Sequence, residues 1–119
     1  MLRRIFPDVK NDKALEYISS NVAANMIGLG SAATPFGLKA MKELDKDNDK
    51  KNIASNNMIT FLVLNTSGLT LIPISIIALR NSYNSINPTS IIIPCIIATS
   101  VSTICGLLMD YYIRRKNAK

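Results

Sequence analysis

Ile91-Ile-Ile-Pro94-Cys-Ile-Ile-Ala98-Thr-Ser-Val-Ser102-Thr-Ile-Cys-Gly106-Leu-Leu-Met109 contains no charged residue. A helix lying on a soluble core shows polar residues along one face at a period of 3.6. This stretch shows no charged face at all. It belongs to a longer run without Asp, Glu, Lys or Arg that extends from Asn81 to Met109. A second run without charge extends from Asn52 to Leu79. Each exceeds the ~20 residues that cross a bilayer as a helix. The charges are confined to the N-terminus, the Lys39–Lys51 region, Arg80 and the tail after Met109. This distribution predicts an all-α integral membrane protein, with transmembrane helices over 57–79 and 91–113. Tyr83 at one edge, and Tyr111 and Tyr112 at the other, occupy aromatic-belt positions.

Further upstream the chain reads Asn21-Val-Ala-Ala-Asn25-Met-Ile-Gly28-Leu-Gly30-Ser-Ala-Ala-Thr34-Pro35-Phe-Gly37. It is apolar enough for a membrane but carries amides, glycines and a proline. Glycine weakens a helix and proline removes a backbone donor. Breaks are therefore predicted near Gly28-Leu-Gly30 and at Thr34-Pro35. Irregular backbone at membrane depth persists only where protein or a water-filled cavity satisfies it. Residues 14–37 are accordingly expected to form a broken, re-entrant segment, followed by a charged helical connector over 38–52. The whole of 1–119 reads as one membrane domain.

Counting Lys and Arg sets the expected topology. If 14–37 re-enters, thirteen of the fourteen basic residues share one side and only Arg80 lies opposite. The positive-inside rule favours that arrangement, with both termini cytoplasmic and the protein in the plasma membrane. The same rule accounts for the net charge of +6. No basic stripe interleaved with aromatics points to nucleic acid.

Chemistry is narrowed by what is missing. Histidine is absent, and the two runs contain neither Lys nor carboxylate to activate a Ser or Thr. The reading is therefore not an enzyme. Cys95 and Cys105 match no metal or redox spacing. Asp45-Lys-Asp47-Asn-Asp49 opens like a calcium loop, but Lys50 stands at the glycine position and Asn56 at the final Glu position. No metal and no cofactor are expected.

Neutral polar groups at membrane depth remain. Asn21 and Asn25 lie one turn apart, Asn56 opens the next segment, and Asn65-Thr66 interrupts its middle. Amides both donate and accept hydrogen bonds. With Gly28, Gly30, Thr34 and Pro35, these residues are the candidates for binding or passing a small neutral solute. The competing reading is hydrogen bonding between helices, evenly weighted for Asn25 and Asn65 and favoured for the hydroxyl residues. Small residues repeat every four positions at Ser20, Ala24, Gly28 and Ala32, and at Ala98, Ser102 and Gly106. They are expected to let helices approach closely.

Asn25-Met-Ile-Gly-Leu-Gly-Ser-Ala-Ala-Thr-Pro-Phe-Gly-Leu-Lys-Ala-Met-Lys-Glu-Leu44, Ala54-Ser-Asn-Asn-Met-Ile-Thr-Phe-Leu-Val-Leu-Asn-Thr-Ser67 and Leu69-Thr-Leu-Ile-Pro73 together resemble the spore maturation protein A family of endospore-forming bacteria. Arg3-Arg4-Ile-Phe-Pro7, Ile77-Ala-Leu-Arg80 and Asn87-Pro88 add to the likeness. That family is similar to the broader nucleoside-recognition, or gate, family of membrane proteins. The resemblance implies a part in spore core dehydration and heat resistance, with spore maturation protein B or another membrane subunit as partner. It establishes no reaction and identifies no solute. Ser31 stands where the family usually has Asn, and Asn52-Ile53 where it has Asp-Thr. Family members begin with further hydrophobic segments, so this chain is expected to correspond to their C-terminal part. The alternatives are a purely structural assembly subunit and an inactive truncated remnant.

Overall fold

The computed structural model describes residues 2–6, 9, 11–49 and 52–117, and among these it contains helices and no strand. Pro7 of the N-terminal motif, and Lys10, Lys50, Lys51 and Lys119 of the topology count, lie outside the described residues. The helices are α1 (Leu2–Ile5), α2 (Asp12–Met26), α3 (Gly30–Lys46), α4 (Asn56–Ser67), α5 (Ile74–Ser82) and α6 (Ile92–Asn117). A 3-10 turn over Pro88–Ile91 leads into α6.

Asn11 starts α2 by accepting a hydrogen bond from the Lys13 amide at 3.0 Å. The helix ends where Gly28 takes a φ of +69°, a conformation that glycine adopts without steric cost. The chain then reverses, and α3 runs back antiparallel to α2. Their pairing is marked by Asn11 with Glu43 at one end, Lys39 over the Tyr17 ring in the middle, and Asn21 with the Ala33 carbonyl near the tip. Residues 14–37 thus form a helical hairpin with one break. The second break expected at Thr34-Pro35 does not occur, because Pro35 lies inside α3. Pro35, the sixth residue of α3, gives up the one bond its amide would make to the Ser31 carbonyl, and the helix continues through it. The connector is helical only as far as Lys46. Asn48 then turns the chain, donating to the Ile53 carbonyl at 2.8 Å.

The helix expected over 57–79 is instead two helices. Ser55 caps α4, and Gly68 at φ +36° ends it. Pro73 immediately precedes α5. At ~1.5 Å per residue, α4 and α5 are about 18 and 14 Å long, and neither alone crosses a ~30 Å hydrocarbon layer. By length and hydropathy, the continuous helical stretch Pro88–Lys116 is the one described segment suited to span, with mean hydropathy 2.3.

α6 packs antiparallel to α4, and its residues are sorted in an unusual way. Thr103 and Asp110 are buried, at 9% and 8% exposure, while Ile97, Ile104, Leu108 and Met109 are 58–68% exposed. Thr103 donates to the Ser67 carbonyl, Thr60 donates to Asp110 at 2.5 Å, and Gly106 sits against Val63 and Ser67. Arg114 pairs with Asp110 at 3.3 Å and also donates to the Asn56 carbonyl. Polar groups therefore turn inward and aliphatic groups outward, the reverse of a helix on a soluble core. A compact apolar core of Phe6, Ala14, Ile18, Ala40, Leu44 and Phe61 joins the base of the hairpin to the start of α4.

Candidate solute site at the crossing of two helix breaks

The hairpin tip lies in the gap between α4 and α5. The Met26 carbonyl accepts from the Leu71 amide at 2.8 Å and from the Ile72 amide at 3.1 Å. Ser75 Oγ donates to the Gly28 carbonyl at 2.7 Å. The end of one broken element thus satisfies orphan groups of the other, as backbone removed from water requires. The fit is close. A Cβ on Gly28 would lie 2.6 Å from the Ile72 carbonyl oxygen and 2.8 Å from the Ile74 nitrogen. From the far side, Thr99 Oγ1 accepts from the Thr70 amide at 3.2 Å and donates to the Cys95 carbonyl at 2.8 Å. Two hydroxyls of α6, Thr99 and Thr103, therefore serve the end of α4 and the break after it.

Beside this crossing runs a line of amides. Asn21 is buried, with 1% exposure, and its Nδ2 donates to the Ala33 carbonyl at 2.8 Å. Asn25 Nδ2 donates to Asn21 Oδ1 at 3.3 Å and to Asn65 Oδ1 at 3.0 Å. Gly37 makes room for Asn21, since a Cβ there would stand 2.9 Å from the Asn21 Nδ2. The three amides border a cleft of about 260 Å³ shared with Gly30, Thr34, Leu38 and Phe61, and among the described residues no charged side chain lines it. The cleft can offer amide donors and acceptors to a neutral polar group, with apolar walls for the rest of it.

The structure thus gathers Asn21, Asn25, Asn65, Gly30 and Thr34 at one cleft and places Gly28 at the neighbouring crossing. Thr34 Oγ1 also donates to the Gly30 carbonyl of its own helix at 3.1 Å. Pro35, Asn56 and Thr66 do not line the cleft. Asn56 instead offers its carbonyl to Arg114 at the other end of α4. Of the small residues expected at helix contacts, Ala24 is buried and Gly106 faces α4. Ala32, Ala98 and Ser102 are exposed, because the inward line of α6 runs through Thr99, Thr103 and Gly106. Gly37 and Ser75 were not among the sequence candidates. Gly37 belongs to the same glycine-bearing stretch as Gly28 and Gly30, whereas nothing local marks Ser75.

Outside the hairpin core, Glu43 closes the open end of α2 and α3. It accepts from Asn11 at 2.9 Å and pairs with Lys46 at 2.6 Å. The Lys46 hydrogen bond, with Asn11 and the Lys46 and Lys13 charges, holds its carboxyl below the ordinary value despite partial desolvation.

Among the described residues these features define an all-helical protein with one span-length apolar helix whose aliphatic face is turned outward, and with two broken elements crossed at their breaks. The chain is 48% identical over 118 residues to spore maturation protein A of Bacillus subtilis (strain 168). It is thus a relative of that sporulation protein, as its motifs suggested. The match covers 97% of this chain and 60% of the relative, so the chain spans well under two thirds of that protein's length. No protein-family model matches the chain, and no solved structure does.

Proposed function

We propose that the chain is a multi-pass integral membrane component of sporulation that binds or gates a small neutral solute. In this reading it is not an enzyme, and it acts with a sister membrane subunit such as spore maturation protein B in dehydrating the spore core. The observation that carries the reading is the Asn21–Asn25–Asn65 amide line beside a crossing of two helix breaks. Discontinuous helices meeting at polar side chains are how many transporters form their binding sites. The outward aliphatic face of α6 supports placement in a bilayer, and the relative's name supports the sporulation role. The absence of a charge in the cleft favours an uncharged solute, because an ion there would lose hydration without a counter-charge.

The test is genetic. The reading frame is deleted in its sporulating host, and these 119 residues are re-expressed with Asn25→Ala or Asn65→Ala. Spore heat resistance and core density are then measured alongside membrane abundance. Loss of both phenotypes at normal abundance supports the reading. Loss of abundance in both variants assigns the asparagines to helix packing instead.

A second reading, an assembly subunit with no solute path, is favoured by the exposed Ala98 and Ser102 on α6. Gly28 and Gly106 already have neighbours within the chain, so Ala98→Leu with Ser102→Leu is the informative change for partner docking. Retained co-purification with the sister subunit would count against it.

A further inference from the structure

We propose that the C-terminal end of α6 is a binding site for an anionic phospholipid, its phosphate held by Arg115 and Lys116 and an acyl chain lying along the exposed face below them. The proposal rests on the bilayer placement of α6 in the reading above and is independent of the solute. Ile97, Val101, Ile104 and Leu108 recur at spacings of four, three and four, which puts them on one helix face. Each is 57–62% exposed. At ~1.5 Å per residue, the stretch from Ile97 to Leu108 covers about 16 Å. That is close to one leaflet's share of a ~30 Å hydrocarbon core. Tyr111 and Tyr112 continue the face one turn on, and with Arg115 and Lys116 they line an open surface groove of about 380 Å³. The face is therefore graded along its length as a phospholipid is: aliphatic, then phenolic, then cationic. Tyrosine suits the ester layer because its ring is apolar and its hydroxyl can donate.

Charge decides which lipid fits. Arg114, Arg115 and Lys116 all lie in the last turn of α6, but they are not equivalent. Arg114 is taken up within the protein by Asp110 and the Asn56 carbonyl. Arg115 and Lys116 are exposed and make no ion pair or hydrogen bond with the described residues. Cations left uncompensated at a membrane surface attract anionic headgroups. A choline or ethanolamine headgroup would instead bring its own ammonium against them. The one carboxylate of α6, Asp110, is buried and bonded to Thr60 and Arg114, so it does not reach out to hold that ammonium. The start of α6 lacks the same provision. Arg80, the basic residue there, donates to Ser85 Oγ, the Asn87 carbonyl and Ser90 Oγ at 3.1–3.3 Å. Anionic lipid is thus selected at one end of the span and not at the other.

Fluorescence quenching by brominated lipid tests this in the full chain. The protein contains no Trp, so Leu108→Trp places a single fluorophore in the acyl layer, one turn below the groove. The variant is reconstituted in mixed phosphatidylglycerol–phosphatidylcholine vesicles in which one lipid or the other carries bromine. The two quenching curves give the relative affinity of the lipids for the site. Phosphatidylglycerol should be preferred, by about fivefold for each basic residue engaged. Arg115→Gln or Lys116→Gln should each reduce the preference by about that factor, and the double variant should bring it close to one. Both residues are exposed, so helicity should be unchanged. Ile93→Trp, at the other end of α6, should report a ratio close to one. Inorganic phosphate added at matched ionic strength should leave the preference intact. If phosphate abolishes it, the groove takes a free anion and the lipid assignment falls. Quenching of Leu108→Trp by both lipids without preference, or a preference that survives the double variant, overturns the site and leaves the bilayer placement standing. Quenching by neither lipid overturns the bilayer placement and the site with it.

Discussion

Single residues here carry unequal weight even when they look alike in the sequence. Gly28 and Gly30 stand two positions apart in one motif, yet their surroundings differ. Gly28 has a φ of +69° and backbone atoms of Ile72–Ile74 where a Cβ would go, whereas nothing lies within 4 Å of a Cβ on Gly30. Gly28→Ala combines positive-φ strain with a clash against backbone and is expected to cost about 3 kcal/mol. Gly30→Ala should be neutral or stabilise α3 by up to ~1 kcal/mol. Thermal unfolding of both variants in detergent checks the contrast, and equal losses would mean that the tip is not docked. Glu43 makes a different, pH-dependent contribution. Its partners favour the ionised form and lower its folded-state pKa. Its contribution is therefore fully present above the ordinary carboxylate range and is lost as pH falls through the lowered value. Protection against amide exchange in the first turn of α2, taken relative to the intrinsic rate at each pH, should fall on acidification from about pH 7 to about pH 3. Glu43→Gln should abolish that dependence.

At the scale of elements, the helices are sorted by what surrounds them as well as by propensity. α6 satisfies its polar residues against α4 and turns its aliphatic residues outward. If that outer face meets lipid, Ile97→Lys should cost about 2.5–3.5 kcal/mol in insertion. If it meets water, the same change should be near neutral, within ~0.5 kcal/mol. Glycosylation mapping of the inserted fraction distinguishes these outcomes. The helical class, the long α6 and the reversal at Gly28 were legible in the sequence, because charge exclusion and glycine punctuation are local signals. The interruption between Ser67 and Ile74 was not read, although Gly68, Thr70 and Pro73 lie in it. Hydropathy is continuous across those residues, and what stabilises the open backbone is a hairpin tip more than forty residues away. Pro35 misled in the opposite sense, since a proline inside a helix removes one bond without having to end it. The partnership of Asn25 with Asn65 could be suspected from their depth, but its geometry depends on the crossing. Ser75 was invisible for the same reason.

For the whole molecule, the central question is which side of the membrane each loop occupies. α2 and α3 form a hairpin, and a re-entrant topology for it predicts that reporters at residues 10 and 46 label from the same side. Labelling from opposite sides would overturn the re-entrant topology. The interlocked breaks also bear on how the protein is made. The tip's carbonyl at Gly28 meets its donor Ser75, 47 residues later in the chain. At ~5–20 residues per second of synthesis, the ribosome takes roughly two to nine seconds to add that length. During that interval the finished hairpin has its tip carbonyls exposed and no partner to receive them. Biogenesis must therefore shelter a half-made joint until the break between α4 and α5 has been made and closes on the waiting tip.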